Sequence, residues 1–113
     1  MTPLVKITSK EELRQALDDS ANRPLLLFKH STRCPISAGA RRELEGYLNG
    51  DPNEQITYRM IYVIENREVS NEAESALGVK HESPQALLVK DGRAVWHSSH
   101  SNITAVALQG ILV

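Results

Sequence analysis

Residues Phe28–Ser37 read FKHSTRCPIS and hold the only cysteine of the chain, Cys34. Just upstream, Pro24–His30 reads PLLLFKH. Four consecutive apolar residues in so short a segment predict a strand covered on both faces, as in the parallel part of a sheet. Downstream, Pro35 suits the first position of a helix, where a missing N–H costs nothing. Ile36, Ala40, Leu44, Tyr47 and Leu48 then recur on one stripe, with Arg41, Arg42, Glu43 and Glu45 flanking it as the solvated side. Asn49-Gly50-Asp51-Pro52 stops that helix. The thiol thus falls where a buried strand turns into a helix.

The rest of the chain extends this pattern. Pro3–Ile7 is a short edge strand. Ser9 stands three residues before Glu12 as a capping box, and Leu13, Ala16 and Leu17 carry a helix over Lys10–Ser20. Tyr58–Ile64 is a second apolar strand. Ser70 is expected to cap a third helix carrying Ala73, Ala76 and Leu77, with Gly78 at its end. Gln85–Lys90 and Arg93–His97 flank Asp91-Gly92, a type I′ hairpin signal, because both turn residues tolerate positive φ. Asn102 is expected to cap a last helix with Ile103, Val106 and Ala107 on one face, and Trp96 to pack on the sheet. The order β-α-β-α-β-α-β-β-α predicts an α/β fold: a mixed central sheet, partly parallel, flanked by helices.

Bulk properties narrow the function. The 113 residues suit a single domain spanning 1–113. A formal net charge of −1 supplies no field that would draw the protein to nucleic acid or membrane. No apolar run approaches the ~20 residues that span a bilayer, and MTPLVKITSK does not read as a signal peptide. One cysteine forms no intramolecular disulfide, so a stapled secreted scaffold is excluded. The expected location is cytoplasmic, where a free thiol persists. No metal is expected: His97 with His100, and His30 with Cys34, lack further convergent ligands.

A lone cysteine is most often a buried hydrophobe. Here Ser31, Thr32, Arg33 and Pro35 surround it with polar or turn-forming residues. At a helix start, first-turn N–H groups lack intrahelical partners, and a helix terminus favours an anion by ~0.3–2 kcal/mol. Ser37 lies in that turn, and its hydroxyl is expected to add a charge-assisted bond of ~1.5–3 kcal/mol to a Cys34 thiolate. Cys34 is therefore the expected nucleophile.

Cys34-Pro35-Ile36-Ser37, opening a helix after an apolar strand, resembles the active-site segment of the thioredoxin superfamily. Ser83-Pro84 followed by Ala86–Gly92 resembles its cis-proline loop and hairpin. Together, HSTRCPIS and HESPQ are similar to the monothiol bacilliredoxins, which act with bacillithiol, a low-molecular-weight thiol some bacteria use in place of glutathione. The resemblance implies a thioredoxin-like fold, Cys34 as nucleophile, Ser37 in place of a resolving thiol, and Pro84 as the cis-proline. It departs from dithiol thioredoxins at Ser37, in having no Trp before Cys34, and in placing Phe28 where those proteins carry a buried acid.

The activity implied is removal of bacillithiol from S-bacillithiolated proteins through a Cys34 mixed disulfide, cleared by an outside thiol. Bacillithiol would be a co-substrate, with no tightly bound cofactor. Pro35, Ile36, Ser83 and Pro84 would form the substrate surface, with Arg33 and His81 as anion contacts. Lys29, Arg41 and Arg42 read as solvated charges. Two other readings remain open: an iron–sulfur cluster carrier of the monothiol-glutaredoxin type, and a non-catalytic thioredoxin-like binding module with an inert Cys34.

Overall fold

The structure, a computed structural model, describes residues 3–113. Five strands and four helices alternate: β1 Val5–Lys6, α1 Lys10–Asp19, β2 Leu25–His30, α2 Pro35–Asn49, β3 Thr57–Tyr62, α3 Arg67–Leu77, β4 Gln85–Lys90, β5 Arg93–Ser99 and α4 Ala105–Ile111. The sheet order is β1-β3-β2-β4-β5. β1 and β2 run parallel to β3, β4 runs antiparallel to β2, and β5 antiparallel to β4. The mixed sheet expected from the sequence is thereby present.

Every residue of β2 is buried, since a strand occupies each side and helices cover both faces. Alternation then divides the core. Leu26 and Phe28 join Ala40, Leu44, Tyr47 and Leu48 of α2 and Leu108 of α4. Leu25 and Leu27 join Leu13 of α1 and Val69 and Ala73 of α3. The next two residues of β2, Lys29 and His30, continue the same alternation into opposite layers.

Ser9 caps α1 as expected, accepting the Glu12 N–H at 3.1 Å. Asp91 and Gly92 have φ of 53° and 74°, the positive pair a type I′ turn requires. Trp96 packs half-buried against the core.

Other boundaries differ from the sequence reading. Only Val5 and Lys6 pair as an edge strand. β3 stops at Tyr62, and β5 continues to Ser99 past an irregularity at Leu88/Val89. The third helix starts at Arg67 after Asn66, so Ser70 is a buried interior residue and not its cap. Ala76 is exposed. In the last helix Thr104 is the cap, accepting the Ala107 N–H at 3.1 Å, and Asn102 lies in a preceding 3₁₀ turn. Val106 is exposed and Leu108 takes the core position.

Leu44 is 1% exposed at the centre of the α2 face. Leu44→Ala should cost about 2–5 kcal/mol through lost burial and the cavity left behind. Urea unfolding should show this as a lower midpoint at an unchanged slope.

Candidate active site

β2 and β4 are neighbours, with Lys29 opposite Gln85. Cys34 follows the end of β2 by four residues, and Pro84 immediately precedes β4. The pairing therefore brings the cysteine segment and the Pro84 loop to one end of the sheet. The Ser83–Pro84 bond is cis.

Cys34 is the N-cap of α2, with extended φ and ψ of −110° and 119°, and Pro35 opens the helix. The Cys34 carbonyl accepts the first helical bond, from Ala38 N–H at 3.0 Å. The N–H groups of Ile36 and Ser37 precede that bond, so neither has an intrahelical acceptor. The thiol is half-buried and makes no cap bond to its own first turn. The amide contacts expected for a thiolate are thus not formed in this state.

Ser37 departs further from expectation. It is 0% exposed and faces the core where Ile36 was expected; Ile36 is 52% exposed instead. The reason is helical phase: positions 37, 40, 44, 47 and 48 form the face that meets the sheet. Ser37 Oγ accepts the Ser31 N–H at 2.9 Å and shares a hydrogen bond of 2.7 Å with His30 Nδ1. Its hydroxyl joins the strand end to the helix rather than serving Cys34. His30, weighed in the sequence only as a metal partner for Cys34, pairs instead with Ser37, seven residues away on another element. Burial, aided by the Arg41 charge, lowers its basicity and favours neutral imidazole, against a weaker pull from Glu65 and Glu45.

The remaining candidates fall into two groups. Arg33, Pro35 and Ile36 are exposed around the thiol. Ser83 flanks buried Pro84, and its Oγ is buried without a protein partner among the described residues. His81 is held differently from this group. Its Nδ1 lies 3.3 Å from both Lys29 Nζ and Ser70 Oγ, on the α3 side of the sheet. Lys29 is not a solvated charge either, being 1% exposed. Arg41 leans on Glu45 and Tyr62, while Arg42 is exposed as expected. Among the described residues no cluster of three or more His, Cys, Asp or Glu could hold a metal, and no helix is long and apolar enough to cross a membrane.

Residues 5–108 match the family model described as monothiol bacilliredoxin BrxC. The chain belongs to the monothiol bacilliredoxin family. A protein of thioredoxin fold, proposed to be an oxidoreductase, superimposes with a TM-score of 0.82 at 29% identity, over 95% of this chain and 91% of its own. Thioredoxin from Malassezia sympodialis does so at 0.80 and 13% identity, covering 99% and 90%. Mitochondrial thioredoxin 3 from Saccharomyces cerevisiae gives 0.73 and 17%, covering 96% and 92%. The last two likenesses establish the fold alone. With its single cysteine, the chain is a thioredoxin-fold thiol oxidoreductase of the monothiol kind.

Ser37→Ala leaves the buried Ser31 N–H without an acceptor and frees His30. It should cost about 1–3 kcal/mol, measured by urea unfolding, and should raise hydrogen exchange at Ser31. The lowered basicity of His30 also fixes a sign. Its contribution to stability is complete above the ordinary imidazole value of about 6.5 and is lost as pH falls through the lower folded value. Stability should therefore decline on acidification within that window, and His30→Gln should remove one proton's share of the slope, about 1.4 kcal/mol per pH unit at most.

Proposed function

We propose that this protein removes bacillithiol from S-bacillithiolated proteins by a monothiol exchange at Cys34. The observation that carries this reading is a single half-buried cysteine, Cys34, near a position, Ser37, that is sealed and chemically unable to resolve a disulfide. The family's bacillithiol-derived name supplies the thiol.

The Cys34 thiolate attacks the bacillithiol sulfur of the mixed disulfide. An S–S bond forms between Cys34 and bacillithiol, the old S–S bond breaks, and the target protein leaves as a thiolate that takes up a proton. A second low-molecular-weight thiol, as its thiolate, then attacks the bacillithiol sulfur. Cys34 departs as the thiolate, and the two small thiols leave as a disulfide. Exchange of this kind is fastest when the departing sulfur is a stable anion. The N–H groups of Ile36 and Ser37, which have no intrahelical acceptor, are the candidate donors for such an anion once the side chain turns toward them.

Pro35 and Ile36, both exposed, supply apolar surface for the target, whereas Pro84, expected as part of that surface, is buried. The Ser83 backbone is suited to pairing with an extended segment, as an added strand does. Arg33, exposed beside the thiol, is the candidate contact for the malate carboxylates of bacillithiol. The inert-module reading needs a sealed thiol, which a half-buried Cys34 does not favour. The proposed setting is the cytoplasm, where the outside thiol would be reduced.

Incubation with an S-bacillithiolated protein should add the mass of one bacillithiol, less two hydrogens, to the wild type. Free bacillithiol should then remove it. Cys34→Ser should acquire no mass, and Arg33→Ala should slow adduct formation by roughly 5–30-fold, the scale of one charged contact of ~1–2 kcal/mol. A wild type that stays unmodified by bacillithiol while taking up coenzyme A or glutathione would assign the site to another thiol.

A further inference from the structure

The α3 side of the sheet end carries a second group of buried polar residues that the exchange chemistry does not use. Lys29 points into this layer from β2, and Ser70 and Glu74 come from α3. His81 precedes Pro84 by three residues. Four contacts converge on residues 80 and 81. Lys29 Nζ and Ser70 Oγ each lie 3.3 Å from His81 Nδ1. The His81 N–H donates to Glu74 Oε2 at 2.6 Å. Gln85 Nε2 donates to the Lys80 carbonyl at 3.0 Å. Lys29, Ser70 and Gln85 are all at most 2% exposed, while Glu74 and His81 are half-buried.

We propose that Lys29 and His81 are positioning residues that clamp the loop carrying Ser83 and Pro84 beside Cys34, and that the clamp holds only while the His81 imidazole is neutral. The chemistry of the partners dictates the second half of this statement. A lysine ammonium has donors and no lone pair. It can approach Nδ1 at bonding distance only if that nitrogen is bare, with the ring proton on Nε2. The Ser70 hydroxyl donates into the same lone pair. Protonating Nδ1 removes the Lys29 bond, reverses the Ser70 contact so that its oxygen must accept, and sets two cations 3.3 Å apart beside the buried Lys29 side chain.

The groups around His81 set the direction. Lys29 from β2 and Arg67 from α3 oppose a charge on the ring, and burial opposes it most strongly. Glu74 from α3 and Glu82 from the loop itself favour it, without reversing the balance. Glu74 likewise supports the Lys29 ammonium against the burial that disfavours it. The clamp is therefore complete at neutral pH and opens as pH falls below the ordinary imidazole range of about 6.5.

Amide hydrogen exchange of residues 79–85 tests this, expressed as protection relative to the unfolded chain at the same pH. Wild-type protection should fall about tenfold between roughly pH 7.5 and 5, the scale of one lost hydrogen bond. Lys29→Met keeps the buried volume and removes the donor, so the fold should persist. Its loop protection should be about tenfold lower already at neutral pH. His81→Asn retains an acceptor that does not titrate, and its protection should stay level across the range. With an S-bacillithiolated protein as substrate, wild-type KM should rise over the same acid limb while kcat changes little, and His81→Asn should abolish the rise. The KM arm rests on the function proposed above and the exchange arm does not, so failure of that reading leaves the clamp still judged by exchange. Level wild-type protection, wild-type protection in Lys29→Met, or an acid limb persisting in His81→Asn would each overturn the proposal.

Discussion

One hydroxyl fixes the geometry of the reactive end. Ser37 Oγ takes the Ser31 N–H and meets His30 Nδ1, tying the last residues of the central strand to the first turn of α2. Cys34 lies between those anchors, so its backbone is held from both sides while the residue is only half-buried. Dithiol relatives of this fold place a second sulfur at this position. An oxygen there cannot form a disulfide, but it can take a short bond from a buried amide. The hydroxyl at position 37 therefore has a structural part in this fold, joining strand end to helix.

The sheet supplies the second constraint. Lys29 sits opposite Gln85 in the β2–β4 pairing, which sets where the Pro84 loop arrives relative to Cys34. The helices on both faces then fix the strand against sliding, because a slip of one residue would send Phe28 and Leu27 into the wrong layers. Strand register, more than any contact to the sulfur, decides that the two functional segments meet.

Most of this architecture was readable from local chemistry. The apolar run of β2, the proline after Cys34, the Asp91-Gly92 turn and the Ser9 cap each act through their nearest neighbours, so sequence spacing reveals them. Failures came where a partner lies far along the chain. Ser37 looked like a ligand for the thiol because helical phase was judged from Ile36, an apolar residue that the helix end leaves uncovered. Lys29 looked solvated because charge suggests water; its burial depends on Glu74 and His81, about fifty residues away. Ser70 looked like a cap because serines favour helix starts, yet it faces His81 from inside α3. No periodicity encodes such pairings.

The alternation at the end of β2 has a consequence for how the molecule can be changed. Lys29 and His30 are adjacent in sequence, yet their side chains enter separate compartments with no shared partner. Alterations to one should combine with alterations to the other by simple addition, as for sites that lack common contacts. The reactive loop and its opposing loop can thus be tuned separately, through two neighbouring codons.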